Sequence, residues 1–208
     1  MVEVAGVGVT KSSSHDVGFL STVLHWSRMA IEIQAPNSFS KYLTHNYITI
    51  FAGGSIEMNR AKPWQRRLVT AFKDYDDVVI LNPRRNSWDS SWKQVAKNKQ
   101  FRKQVQWELD GLESCDTSVM YFDPDTKSPI SLLELGLFGA NTNFRTNMLP
   151  KMHVICPKGF WRRGNVEIVC LRYSIPYCTS LTAAANSIKE DLEHYRRQPS
   201  QVNRGLLR

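Results

Sequence analysis

The stretch NYITIFAGGS, residues 46–55, decides the expected fold. A run rich in β-branched and aromatic residues leads into two glycines, and this composition predicts a buried strand that ends in a tight turn. Pro63 then lies in the first turn of a helix predicted over residues 62–73. A short apolar strand followed directly by a helix is the repeating unit of an α/β domain.

The same strand–helix unit recurs along the rest of the chain. Further strands are predicted over residues 77–81, 118–122, 152–156 and 176–179, and further helices over residues 91–113, 131–138, 166–173 and 181–196. This alternation is typical of a parallel sheet with helices on both faces, because each crossover needs a helix to return the chain. We therefore expect a doubly wound α/β fold, flavodoxin-like or Rossmann-like, of about five parallel strands.

The two ends of the chain lack this pattern. Residues 1–44 hold several glycines, a run of serines and a turn-forming Ala-Pro-Asn-Ser cluster, so we expect a poorly ordered, weakly structured extension there. Residues 45–198 are assigned to one domain, and residues 199–208 form a basic tail.

The composition excludes several classes of protein. The 208 residues are 42% hydrophobic and 22% charged, and no apolar run is long enough to span a membrane. The net charge is +8, but no aromatic-plus-basic RNA motif accompanies the basic residues, so nucleic acid is not expected as the main partner. The four cysteines lack zinc-site spacing, which predicts reduced thiols, no metal site and a cytoplasmic protein.

The candidate binding residues follow the strands, since ligands of an open parallel sheet lie beyond the carboxyl ends of its strands. The loop Gly53-Gly54-Ser55 could bring amides and a hydroxyl to a ligand, or form only a tight turn. The loop after the second strand combines an amide, two cations that suit a phosphate or carboxylate, and an aromatic ring that could stack on a base: Asn82, Arg84, Arg85 and Trp88. Its alternative is a solvated basic loop.

Two glutamates are candidate catalytic residues. A helical projection of residues 101–112 places Glu108 within an apolar stripe, where desolvation raises the pKa of a carboxyl group and suits it to donate a proton. Its alternative is a glutamate that pairs with a buried arginine or caps a neighbouring element. Glu134 lies between two leucines near a strand end, which favours a partly dry functional carboxylate, but Ser131 and Glu134 also have the spacing of a capping box.

Four segments together resemble the nucleoside 2-deoxyribosyltransferase-like family. They read IFAGGSIEM (50–58), LNPRR (81–85), QWELDGLESCD (106–116) and SPISLLELG (128–136), and they occur in the family's order. The resemblance covers roughly residues 46–196. It implies a flavodoxin-like fold, no metal or organic cofactor, and cleavage of the N-glycosidic bond of a deoxynucleoside.

The resemblance also implies roles for single residues. Glu134 matches the family's glutamate nucleophile, and Glu108 matches the acidic residue that acts near the nucleobase, although the family residue there is typically aspartate. A further family aspartate corresponds to Ser128, and Asp123 or Asp125 could take its place. The Gly53-Gly54-Ser55 loop would orient the sugar or a 5′-phosphate. Related enzymes are homo-oligomers, so the resemblance implies at least a dimer.

Three functions stay open at this point, with direct nucleic-acid binding as a fourth and weaker one. The first is a transferase that moves a deoxyribosyl group from one base to another. The second is an N-glycosidase that acts on a nucleoside 5′-phosphate or another N-riboside, which the basic loop favours. The third is a catalytically silent family member that binds a nucleotide or a protein partner.

Overall fold

A computed structural model describes residues 30–57, 60–86, 89, 91–142 and 149–197, with only the backbone described for residues 141 and 142. These residues form one sheet of six parallel strands with five α-helices around it. The strands are β1 (Ile31–Gln34), β2 (Ile48–Gly54), β3 (Val78–Asn82), β4 (Thr117–Tyr121), β5 (Met152–Ile155) and β6 (Tyr177–Cys178). The helices are α1 (Trp64–Ala71), α2 (Lys99–Ser114), α3 (Pro129–Phe138), α4 (Arg163–Arg172) and α5 (Leu181–Arg196).

The order of the strands explains where a ligand can bind. Across the sheet they are arranged β1-β3-β2-β4-β5-β6. The chain passes from β2 to β3 on one side and then to β4 on the other side of β2, so the winding direction reverses there. This confirms the predicted doubly wound α/β fold. The crevice beyond the carboxyl ends of β2 and β4 is the switch point at which such sheets bind ligands.

The sheet separates two apolar cores, because neighbouring residues of a strand face opposite sides. Ile50 of β2 and Ile80 of β3 face α1 and α5, whereas Phe51 and Leu81 face α2, α3 and α4. Gly111 of α2 lies directly over Phe51, since a Cβ at this position would come within 2.6 Å of the ring. The glycine therefore lets α2 pack closely on the sheet, which fixes the helix that carries Glu108.

Strand β1 lies within the stretch that the sequence interpretation assigned to the N-terminal extension. Ile31 pairs with Val79 of β3, and Ala35 and Phe39 belong to the core. The ordered domain therefore begins before residue 45, and the sheet has six strands where about five were expected. The strand was missed because it has only four residues and pairs, among the described strands, with β3 alone, which follows β2 in the chain.

Helix α2 also begins later than predicted. The sequence predicted a helix from residue 91, but the structure starts it at Lys99. The side chain of Asn98 accepts hydrogen bonds from the amides of Gln100 and Phe101, each at 3.1 Å, and so caps the helix. A charged segment before Asn98 concealed this start signal.

Several other sequence features have a definite place in the fold. All four cysteines are free thiols, and three of them are buried. His153 of β5 is fully buried, and burial lowers the pKa of its imidazole to about 4. Within the described ranges, no helix has the length and apolar character needed to cross a membrane.

Candidate active site

Three buried hydroxyl groups join the loops that follow β2 and β4. Ser55 Oγ lies 2.5 Å from Ser128 Oγ, and Thr126 Oγ1 lies 2.9 Å and 2.7 Å from these two oxygens. Ser55 Oγ also accepts a hydrogen bond from the amide of Asp123 at 2.8 Å. This hydroxyl cluster ties the two strand ends together at the switch point. Ser55 and Ser128, both predicted to bind substrate, thus make their hydrogen bonds to other protein groups.

Strand β2 reaches the cluster through Gly53 and Gly54, which pair with Met120 and Tyr121 of β4. Gly54 has a φ angle of 129°, and a side chain there would collide with the backbone of Tyr121. Glycine is needed because only a residue without Cβ accepts this φ angle at such a close approach. The two predicted glycines therefore lie at the site, at the end of β2.

Helix α3 starts from an unusual backbone position. Ser128 has a φ angle of 47° and precedes the helix as its N-cap. Glu57 Oε1 accepts the amides of Ser128 and of the residue before it, at 2.5 Å and 2.6 Å. Ser131 is already inside the helix, so the capping-box interpretation of Ser131 and Glu134 is wrong. Glu57 binds the N-cap amide that a capping-box glutamate would bind, which frees Glu134 for another role.

The two candidate catalytic glutamates approach one another at this edge of the sheet. Glu134 of α3 is only 8% exposed. Desolvation by burial raises the pKa of Glu134 to about 8, and the charge of Glu108 adds to this effect. Desolvation also raises the pKa of Glu108 to about 6, against an opposing hydrogen bond from Gln104. The structure therefore holds two desolvated, electrostatically coupled carboxyl groups.

The position of Glu108 on α2 differs in detail from the helical projection. The buried face of α2 is formed by Gln104, Trp107, Gly111 and Leu112. Glu108 lies at the edge of that face and keeps a partly exposed surface. The projection placed Phe101 and Val105 in the buried stripe, but both are only partly buried in the structure. Among the described ion pairs, Glu108 is not paired with an arginine. Its side chain accepts a hydrogen bond from Gln104 instead.

The loop after β3 is ordered by Asn82. Asn82 Nδ2 donates to Glu32 of β1 at 2.6 Å, and Asn82 Oδ1 accepts the amide of Arg84 at 2.9 Å. The Arg84 guanidinium donates to the carbonyl oxygen of Ala61 at 2.6 Å. Burial lowers the pKa of Arg84, whereas its attraction to Asp123 opposes this. Asn82 therefore orders the loop after β3, and Arg84 links this loop to the loops after β2 and β4.

Arg85 reaches in the other direction, towards α2. Its Nη1 lies 3.4 Å from Gln104 Oε1, and its guanidinium stacks 5.0 Å from the ring of Trp92. Within the part of the chain that the structure describes, the Nε–H groups of Arg84 and Arg85 have no hydrogen-bond partner. The predicted contact residue Trp88 lies outside the described residues.

Asp123 follows β4 and is 3% exposed. One carboxylate oxygen accepts the amide of Asp125 at 3.0 Å, and the other accepts the amide of Lys62 at 3.3 Å. Together with the attraction from Arg84, these contacts hold the loops after β2, β3 and β4 around one point. The side chain therefore has a clear structural task at the site.

Residues 47–160, slightly more than half of the chain, match the family model described as nucleoside 2-deoxyribosyltransferase like. The chain belongs to this family. The matched segment runs from just before β2 to the loop after β5 and contains Glu108, Glu134 and the predicted binding residues. A search of curated proteins finds no match to the chain. Membership of the nucleoside 2-deoxyribosyltransferase-like family supports an enzyme of glycosyl-transfer or glycosidase type with a nucleoside substrate.

Three residues at the site escaped the sequence interpretation: Glu57, Gln104 and Thr126. Gln104 precedes Glu108 by one helical turn, and this spacing could have indicated a side-chain contact. Glu57 carries no such local signal, because the amides that it accepts lie in the loop after β4. The bond from Thr126 to Ser55 likewise joins two different loops. In the ranges that the structure covers, no group of three His, Cys, Asp or Glu side chains is arranged to hold a metal ion.

Proposed function

We propose that the protein cleaves the N-glycosidic bond of a deoxynucleoside or deoxynucleotide, with Glu134 as the nucleophile and Glu108 as the proton donor. The observation that carries this proposal is the pair of desolvated carboxyl groups beyond β2 and β4. Retaining glycosyl transfer typically uses two carboxyl groups, one as nucleophile and one as acid, and their environments give them different pKa values. The family assignment supports the same chemistry.

The proposed reaction proceeds in two displacements. The Glu134 carboxylate attacks the anomeric carbon, the bond from that carbon to the base nitrogen breaks, and Glu108 gives its proton to the departing base. A second base then displaces Glu134 in a transferase, or water displaces it in a hydrolase, and in either case the incoming group gives its proton to the Glu108 carboxylate. Both outcomes retain the configuration at the anomeric carbon and regenerate the two glutamates.

The proposed reaction needs a pair of carboxyl groups that holds one proton. Between the pKa of Glu108 at about 6 and that of Glu134 at about 8, the pair holds one proton. In the free protein the proton resides mainly on Glu134. The reactive form, with Glu134 ionised and Glu108 neutral, is the minor tautomer of this singly protonated pair. Positive charge that develops on the sugar favours the ionised form of Glu134 and therefore this tautomer. We expect a bell-shaped pH profile with limbs near these two values.

A phosphorylated substrate is the second candidate. The unpartnered Nε–H groups of Arg84 and Arg85 favour it, because a guanidinium with a free donor can bind a phosphate oxygen. A preference for deoxynucleoside 5′-phosphates, lost in Arg85→Met, would favour this candidate over an unphosphorylated nucleoside.

The deciding experiment incubates the protein with deoxynucleosides, deoxynucleotides and excess adenine, and follows the products by mass spectrometry. A new deoxyadenosine product indicates a transferase, and free base with free sugar indicates a hydrolase. Glu134→Gln is expected to abolish both products, whereas Glu113→Gln, an exposed glutamate of α2, retains activity. No turnover by the wild-type protein would contradict the proposal and favour a binding role.

We also propose that the protein assembles as a homo-oligomer. Helix α3 is apolar on both faces: Leu135 packs into the core, whereas Ile130, Leu133 and Leu137 are more than half exposed. Exposed apolar side chains on one helix face favour a protein–protein contact. Light scattering should find a dimer or larger species that Leu133→Lys dissociates, while Val95→Lys leaves it intact. A monomeric wild-type protein would contradict the proposal.

A further inference from the structure

Gln104 is a buried polar side chain whose amide atoms all have partners. Its exposed fraction is 2%. Its Nε2 donates to the carbonyl oxygen of Pro83 and to Glu108 Oε1, each at 2.9 Å. Its Oε1 accepts from Arg85 Nη1 at 3.4 Å. The amide therefore connects the proposed proton donor to the loop that follows β3.

These contacts fix the orientation of the amide. An NH2 group has two hydrogens and no acceptor, and here both hydrogens are taken by Pro83 and Glu108. A flipped amide would turn its oxygen towards two acceptors and its NH2 group towards the cationic Arg85. The observed orientation is the one in which every polar atom is satisfied, and burial makes the alternative costly.

The orientation of Gln104 in turn decides the geometry of Glu108. Because Gln104 only donates to Glu108, Oε1 must act as an acceptor in both protonation states of that glutamate. The proton of neutral Glu108 therefore resides on Oε2. As the proton leaves Oε2 for the base nitrogen, the carboxylate gains charge and the hydrogen bond from Gln104 strengthens. An interaction that strengthens along the reaction accelerates it.

We propose that Gln104 is a positioning residue, which directs the proton of Glu108 to Oε2 and stabilises the carboxylate that remains after proton donation. This inference rests on the proposed function, in which Glu108 protonates the leaving base. Arg85 strengthens the effect, because its positive charge polarises the Gln104 amide through the amide oxygen. Among the described residues, the charged groups that act on Glu108 from neighbouring elements are Glu134 of α3 and, through Gln104, Arg85.

The test compares Gln104→Met with Gln106→Met, the same change at an exposed position of α2. Carbon-13 NMR of labelled glutamate carboxyl groups follows the titration of Glu108, which the spectrum of Glu108→Gln identifies. Loss of the donor should raise the pKa of Glu108 by about one unit in Gln104→Met and leave it unchanged in Gln106→Met. The acid limb of the activity profile should move upward by a similar amount.

Steady-state kinetics give an independent readout. Gln104→Met should lower kcat roughly 10- to 100-fold with little change in KM, because the proton donor stays present but loses its orientation. Gln104→Glu is nearly isosteric, so it preserves packing if the methionine variant does not fold. It replaces the donor by a second carboxyl group and should raise the pKa of Glu108 further than methionine does.

The two proposals fail in different ways. The NMR titration needs no substrate, so it reports on Gln104 even if the protein turns over no nucleoside. An unchanged Glu108 titration in Gln104→Met and Gln104→Glu would overturn the positioning role. The expected upward shift of the Glu108 pKa, combined with a wild-type kcat in both variants, would also overturn it. Absence of activity in the wild-type protein would instead refute the proposed function.

Discussion

Replacing Glu134 by glutamine should make the protein more stable at neutral pH. Burial raises the pKa of Glu134 from its ordinary value of 4.5 to about 8, so the folded state prefers the neutral carboxyl group. The unfolded chain ionises the same group near its ordinary value. The stability contributed by this group is complete below about pH 4.5 and is lost as the pH rises towards 8. Glutamine cannot ionise and has nearly the same shape, so it removes this loss.

The magnitude follows from the difference between the two pKa values. One pKa unit corresponds to about 1.4 kcal/mol. At pH 7, about 2.5 units above the ordinary pKa of 4.5, the folded state still holds its proton while the unfolded state has lost it. Glu134 therefore costs about 3 kcal/mol of unfolding free energy at this pH. For a chain of this size that is roughly 6–12 °C in melting temperature.

The assay is thermal unfolding of wild-type protein and Glu134→Gln from pH 4 to pH 8, followed by circular dichroism. The difference in melting temperature should be small at pH 4 and grow steadily up to pH 8. Glu113→Gln, at an exposed position of α2, should show no such growth. A Glu134→Gln variant that is no more stable than wild type at pH 7, or a gain independent of pH, would refute the burial of an uncompensated carboxyl group.

Three further substitutions test the packing around the site and the end of α5. Gly54→Ala should lower the unfolding free energy by more than about 3 kcal/mol, because its Cβ would collide with the backbone of Tyr121. Gly136→Ala should instead raise the unfolding free energy by about 1 kcal/mol, since a Cβ there meets no atom within 4 Å. Urea unfolding distinguishes the two glycine variants, and equal effects on stability would contradict the geometry. Arg196→Met should cost about 1 kcal/mol by removing the hydrogen bonds that Nη2 donates to both carboxylate oxygens of Asp77, at 2.5 and 2.7 Å. That loss should shrink in 1 M salt, and a salt-independent loss would argue against an ionic origin.

The sequence interpretation succeeded where the signal is local. The strands β2 to β6 and the helix α5 lie close to their predicted positions, because a run of apolar residues between turn signals is readable within a few residues. The edge strand β1 was missed because its side chains are only partly buried. Its strand conformation depends on pairing with β3, which no short-range pattern reports.

The residues of the candidate site also divide into those with a local sequence signal and those whose role depends on a distant partner. Glu108 and Glu134 were identified from an acid among apolar neighbours and from the resemblance to a known family. That Glu134 does not cap its helix could not be derived from its own segment, because Glu57, which takes the N-cap amide, lies in the loop after β2. The local spacing of Ser131 and Glu134 was ambiguous until this distant partner was known.

The sequence by itself determined the α/β class and the approximate positions of β2 to β6, because these depend on composition and periodicity over a few residues. It also gave the two glutamates as candidates, from their apolar neighbours and from the family resemblance. Only the tertiary structure decided which polar groups are buried together: the hydroxyl cluster of Ser55, Thr126 and Ser128, and the orientation of Gln104. The physical reason is that a buried polar group is stable only when a partner satisfies it. Here those partners come from strands and loops that are far apart in the chain.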